Sequence, residues 1–444
     1  MSLTASVGLM AVFVVDLIDM VFIAMLGRSE LAAAVGYGGA ILFLTTAFGI
    51  GMGISAGALV ARALGQGDRE LARRQGTHAL IHGVIFGSAF AALVWWQLPA
   101  LVDLLGAEDP ARGLAIHYLA IIVPSMPLLM VGMIGGAILR AHGDARRAMM
   151  ATIWGALVNL VLDPILIFGL GLELTGAALA TVAARIAIAG TALIPVFRHH
   201  GGLVRPSVPG LMLDLRPVVA IAVPSILTQL ATPIGQAYVT RAMATYGEAA
   251  VAGMAIAARL TPVAFGVLFA LSGAIGPIIG QNAGARQHER VRRAFLDGLV
   301  FCALFVAGMT LLLWLLRAPI ADLFGAEGLT RELVFLFCGP LALAFFFNGA
   351  LFVANAACNN LGAPFQSTLV NWGRHTLGTV PFVLVFAAWL GAPGVLIGQA
   401  AGGVVFAALA VWMALRLMRR RSGAGPRDPF GREARQLSLW NLRR

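Results

Sequence analysis

A chain of 444 residues that is 59% hydrophobic and only 11% charged is no soluble globular domain; this is the balance of an integral membrane protein with many crossings. The formal net charge of +11 rests on 31 basic residues, all of them arginine. They fall in short loops and a tail, the pattern of the positive-inside rule, which accounts for the basic balance without any nucleic-acid partner.

Each crossing takes about 20 mostly apolar residues, and the hydropathy pattern predicts twelve. In the first half they cover about 3–26, 37–61, 77–105, 115–139, 148–170 and 176–197. In the second they cover about 216–245, 250–279, 295–324, 332–357, 366–390 and 393–417. The expected fold is therefore all-α, with a six-helix lobe over 1–197, a polar linker over 198–215 and a second six-helix lobe over 216–418. The remainder, 419–444, reads as a polar tail too poor in apolar residues to pack. The N-terminus lacks a basic region and a small-residue cleavage site, so no removable signal peptide is expected.

Arginine placement sets the orientation. The even-numbered connections hold Arg69, Arg73, Arg74, Arg140, Arg146, Arg147, Arg290 and Arg293 among others, whereas the opposite loops are poor in arginine and carry Glu30, Glu108 and Glu327. Both termini are expected in the cytoplasm, with the chain in the inner membrane. Trp95, Trp96, Trp314 and Trp389 lie near the opposite helix ends, as interfacial anchors do.

The two halves repeat. GQGDRELARR (65–74) reappears as GARQHERVRR (284–293), and LGRSELAAAVG (26–36) as YGEAAVAGMA (246–255), at an offset close to 219 residues. Six crossings per half keep both halves in one orientation, a parallel repeat typical of secondary transporters that work by alternating access.

Few acids lie at membrane depth: Asp16 and Asp19 in the first crossing and Asp163 in the fifth. An ionisable group there costs a few kcal/mol or more and marks a functional site by default. Asn159 and Asp163 are four apart and share a helical face, while Pro164 cannot donate a backbone hydrogen bond and leaves carbonyl oxygen free nearby. Two acids on separate crossings of one lobe could share a proton or a cation. Thr181, one turn into the sixth crossing, could add a hydroxyl oxygen, or simply bond its own backbone. Arg185 could pair with a first-lobe acid.

The second half has no deep carboxylate, so coupling is expected in the first lobe. Gln229, Gln236 and Asn348 could line a cavity or form ordinary interhelical bonds, and Met126 and Met130 could supply an adaptable apolar wall or plain packing. Cys302, Cys338 and Cys358 sit in apolar runs without paired spacing, and the eight histidines show no metal pattern. No nucleophile motif, phosphate loop or cofactor fingerprint is present, which argues against an enzyme or an ATP-driven pump.

The stretches VDLIDMVFIAMLGRSELAA (15–33), GALVARALGQGD (57–68), LRAHGDAR (139–146), NLVLDPILIFGLG (159–171) with GAALAT (176–181), and GPIIGQNAGA (276–285) together resemble the multidrug and toxic compound extrusion (MATE) family over nearly the whole chain. That resemblance implies a cation site in the first lobe formed by Asp19, Asn159, Asp163 and Thr181, with Asp16 an additional acid. It also implies cation-coupled export of amphipathic, often cationic, organic compounds. Where many members carry a glutamate in helix 7 and an aspartate in helix 10, this chain has Thr228 and Asn348.

The expected function is thus secondary export of an organic compound against H+ or Na+. The expected partners are the bilayer and a small-molecule substrate, with the chain working as a monomer. A lipid-linked or polar metabolite on the same fold is the first alternative, and a membrane-embedded enzyme or scaffold the second.

Overall fold

A computed structural model describes residues 25–422 together with 8, 10, 11, 15, 18, 19 and 21–23. Asp16 and the 423–444 tail lie outside the described residues. Among the described residues the regular structure is entirely helical, and ten helices are long and apolar enough to cross a membrane. Numbered with the partly described first crossing as span 1, they are spans 2 (Glu30–Gly65), 3 (Arg69–Trp96), 4 (Ala111–Ala141), 5 (Ala145–Gly169) and 6 (Glu173–His199). Then follow 7 (Val208–Ala244), 8 (Glu248–Gly284), 9 (His288–Leu323), 10 (Gly328–Asn360) and 12 (Ala392–Arg421). Span 11 is broken into Pro364–His375 and Val380–Leu390.

Local chemistry explains the ends of these helices. In GQGD, Gly67 takes φ +79° to close span 2, and the Asp68 carboxylate accepts from Leu71 N at 2.8 Å to open span 3. In AHGD, Gly143 takes φ +82° and Asp144 accepts from Arg147 N at 3.2 Å. A left-handed glycine followed by an N-cap aspartate makes a compact helical corner.

The fourth and fifth spans of each half are interrupted. Span 4 passes through a 3-10 turn at Val123–Ser125 around Pro124, and span 10 through a π turn at Phe337–Leu341 around Pro340. Span 5 turns π at Ile165–Gly169, directly after Pro164. Span 11 breaks at Thr376–Thr379, ahead of Pro381. Proline removes one backbone donor and clashes one turn back, so the helix loosens there.

By internal contacts the chain divides between Ile226 and Leu227, inside span 7. The early part of span 7 is held to span 2, where Ser55 Oγ donates to Val218 O at 2.9 Å. Large apolar side chains on the outside of the spans are exposed, among them Val161, Ile186, Leu304 and Leu315, as are Trp95, Trp96, Trp314 and Trp389. A surface this apolar suits lipid rather than water.

Candidate functional site in the first lobe

Span 5 brings Asn159 and Asp163 onto one face, and both are buried, Asp163 to 1% exposure. Asn159 Nδ2 donates to Asp163 Oδ2 at 3.0 Å. This uses the amide's donor end and leaves its Oδ1 for another ligand. Asp19, on span 1, stands within hydrogen-bonding reach of Asp163. The remaining oxygens, Oδ1 of Asp19 and Oδ1 of Asp163, are buried without a hydrogen-bond partner. Two adjacent carboxylates repel, and either a shared proton or a bound cation relieves the repulsion.

The backbone around this pair is loosened on purpose of sequence. Pro164 takes no part as a donor, and the π turn that follows carries its bond from Leu170 N to Ile165 O at 2.9 Å. Span 6 closes on that turn at Gly176, where a Cβ would lie 2.7 Å from the Leu166 carbonyl carbon and 2.8 Å from its oxygen. Only glycine fits there, so the small residue sets the approach of span 6 to the acid. One turn along, Thr181 Oγ1 donates to Ala177 O at 3.0 Å and is within reach of the Tyr118 hydroxyl.

Tyr118 is the residue that sequence reasoning passed over. It is 8% exposed, on span 4, close enough to interact with Asp19, Asp163 and Arg185. Its signal was a lone tyrosine in an apolar run just before the Pro124 break. Arg185 was expected to pair with an acid. Its hydrogen bonds go instead to Ile122 O at 3.2 Å and Ser125 Oγ at 2.9 Å, capping the interrupted turn of span 4. The carbonyl freed near Pro124 is thus met by a guanidinium.

Met126 and Met130 do not line a cavity: both are fully buried, and Met130 fills the space left by Gly49 and Gly87. In the second lobe, Gln229 is half-buried, and Gln236 Oε1 accepts from Gln399 Nε2 at 3.1 Å on an exposed face. Asn348 accepts from Arg374 Nη2.

Two charged clusters tie the loop ends of the first lobe. Asp214, 3% exposed, accepts from Arg74 Nε at 3.1 Å and meets His78 Nδ1 at 2.6 Å. Asp144 pairs with Arg147 at 2.5 Å and His200 at 3.1 Å, and His200 packs on His142 with ring centroids 4.4 Å apart. Burial alone would raise the Asp144 carboxyl, but the Arg147 and His200 hydrogen bonds outweigh it and hold it below the usual carboxylate range. Burial pushes the His142 imidazole down, against the opposing pull of its bond to Ile138 O.

The chain is 28% identical over 424 residues to the FAD transporter of Shewanella oneidensis, covering 94% of this chain and 93% of that one. It is 23% identical to the multidrug export protein MepA of Staphylococcus haemolyticus, again covering 94% and 93%. Among solved structures, an outward-facing multidrug resistance MATE transporter superimposes with a TM-score of 0.88 at 24% identity, covering 95% of each chain. A Vibrio cholerae MATE transporter gives 0.88 at 24% identity over 94% of each. The family model for MatE matches twice, over 5–165 and 224–384, so the two matches are offset by the same 219 residues as the internal repeat. With a model that covers most of the chain in two copies, the protein belongs to the MatE family of transporters.

Proposed function

We propose that the protein is a cation-coupled antiporter that exports an amphipathic organic solute, with Asp19, Asn159, Asp163 and Thr181 as the seat of the coupling ion. The observation that carries this reading is the adjacent pair of Asp19 and Asp163, each with a buried oxygen that finds no hydrogen-bond partner among the described residues. Such a pair holds a proton or a sodium ion far better than it holds two bare charges. In the outward-open state the ion enters, and the lobe's negative charge falls by one. The solute then leaves, because the two states differ in affinity for ion and solute. Reloading from the cytoplasm follows once the acids are empty. Both H+ and Na+ suit the ligands: two carboxylates and two neutral oxygens serve sodium, and the same carboxylates serve a proton. The chain works as a monomer in the inner membrane, with both termini and the arginine-rich loops in the cytoplasm.

A second substrate reading is favoured by the name of the Shewanella oneidensis relative, whose solute is an anionic dinucleotide rather than a cationic drug.

The test is solute efflux from proteoliposomes, comparing the wild type with Asp163→Asn under an imposed pH gradient and, separately, a sodium gradient. Efflux driven by one gradient and abolished by the substitution supports the site and identifies the ion. Efflux unaffected by Asp163→Asn moves coupling elsewhere and removes the proposed seat.

A further inference from the structure

The second lobe contains a guanidinium that no carboxylate among the described residues pairs with. Arg374 ends the half-helix Pro364–His375, where span 11 breaks, and is half-buried. Its Nη2 donates to Asn348 Oδ1 on span 10. An arginine presents five N–H donors, and the others on Arg374 find no protein acceptor among the described residues. Ion pairs in this lobe lie at helix ends instead: Arg331 with Asp322, Arg293 with Asp297, Arg292 with Glu289.

The surroundings are polar and uncharged. Spans 10 and 11 are laced by a ladder of neutral groups: Asn371 Nδ2 donates to Asn355 Oδ1 at 3.2 Å, and Ser367 Oγ to Asn359 Oδ1 at 3.2 Å. Arg374 and Asn348 form the next rung, the single charged one. On its far side the guanidinium lies over Gly403 of span 12, where even an added Cβ would stand 3.6 Å from Nε. A glycine at that place leaves the edge of the fork uncovered.

His375 is the second observation. It is 5% exposed, and neither Nδ1 nor Nε2 has a hydrogen-bond partner. It packs against Gly235 of span 7, where a Cβ would come within 2.1 Å of Nδ1. A buried imidazole with both nitrogens unsatisfied is costly and calls for a partner. The C-terminal end of the half-helix places some partial negative charge near Arg374, but a dipole end does not saturate a fork of N–H donors.

We propose that the second lobe binds the anionic group of the transported solute, a phosphate or a carboxylate, on Arg374, with Asn348 and His375 as neutral donors beside it. Guanidinium forks match both oxyanions in a bidentate manner, and an amide and an imidazole N–H complete the set without adding charge. Asn348 turns its Oδ1 to the guanidinium, which leaves its Nδ2 to donate. The proposal rests on the transport reading above and names the chemistry of the solute.

The experiment uses the full chain in phosphatidylcholine nanodiscs, without any gradient, and four probes on one ring: naphthyl phosphate, naphthoate, naphthalenemethanol and naphthylmethylammonium. Binding is read by equilibrium dialysis against empty nanodiscs. At least one anion is expected to bind about tenfold or more tighter than the alcohol, with the ammonium weakest. Phosphate ahead of carboxylate points to a phosphorylated solute, and the reverse order to a carboxylated one. Arg374→Ala should erase the preference. Because that change can cost the fold, Asn348→Asp is the companion: it places a carboxylate against the guanidinium, satisfies it, and should also abolish anion binding.

An alcohol that binds as tightly as both anions, an ammonium that binds tightest, or an anion preference untouched by Asn348→Asp overturns the proposal. Asp163→Asn should leave this binding intact. Loss of gradient-driven efflux in that variant and loss of anion preference in Asn348→Asp are therefore separate failures.

Discussion

Asn159 and Asp163, one helical turn apart, are joined by a 3.0 Å bond that satisfies one carboxylate oxygen, Oδ2, and leaves Oδ1 buried without a donor among the described residues. The amide thus positions the acid without quenching it. Asn159→Leu removes the donor at a buried carboxylate, and a buried group left unsatisfied costs about 1–3 kcal/mol. We expect a lower melting temperature, checked by thermal shift in detergent, together with loss of gradient-driven efflux.

Tyr118 reaches Thr181 and sits beside both acids. Tyr118→Phe keeps the ring and removes only the hydroxyl, so stability should change by less than about 1 kcal/mol. If the hydroxyl helps hold the ion, efflux at low ion concentration falls severalfold while efflux at saturating ion recovers. Equal loss at both concentrations would assign Tyr118 to packing alone.

Gly176 lets span 6 lie on the π turn that follows Pro164. An alanine there meets carbonyl atoms of Leu166 at 2.7–2.8 Å, which are backbone and cannot swing aside. Overpacking of this kind costs about 1–3 kcal/mol. Gly176→Ala should lower the melting temperature, and it should impair efflux more than an equally destabilising change far from Asp163, such as Gly253→Ala.

Asp214 receives Arg74 and His78 at the start of span 7. Asp214→Ala leaves the Arg74 guanidinium with solvent to turn to, since its side chain is 40% exposed. The expected cost is therefore about 1–3 kcal/mol, below that of breaking a fully buried pair. Urea or thermal unfolding in detergent measures it, and limited proteolysis should then cut within 200–210.

The loop between spans 4 and 5 has its own pH response. Burial depresses the His142 imidazole below its ordinary value of 6.5, which favours its neutral form in the fold. As pH falls past that value, the unfolded chain gains a proton that the folded chain resists, and stability drops. Asp144, held below 3.8, contributes stability that is present at neutral pH and is lost only as pH falls through its lowered value. Melting temperature should thus decline in two stages on acidification, and His142→Gln should flatten the first stage alone.

Much of this was legible in the sequence because membrane chemistry leaves few options. Ten of the twelve expected crossings appear as long apolar helices among the described residues, and the 219-residue offset reappears between the two family matches. Asn159 and Asp163 announced themselves as polar groups where polarity is expensive, and their four-residue spacing predicted the shared face that the 3.0 Å bond now occupies. Other features were not readable. Arg185 meets a carbonyl and a serine rather than an acid, because the proline break in span 4 creates an acceptor that periodicity does not reveal. Met130 is buried where glycines on neighbouring spans make room for it, a complementarity that spans 2, 3 and 4 share only in three dimensions. The uncharged ladder around Arg374 depends in the same way on the pairing of spans 10 and 11.

Where span 12 passes the break in span 11, a Cβ on Gly402 would fall 1.3 Å from Gly378 O, and one on Gly398 2.6 Å from Phe382 O. Two backbones in such intimate register cannot slide or twist past each other without collision. The half-helix Val380–Leu390 and span 12 are therefore one mechanical part. The loosened turns after Pro164 and around Pro124 and Pro340 differ from it, since a helix can flex there without parting from its neighbour.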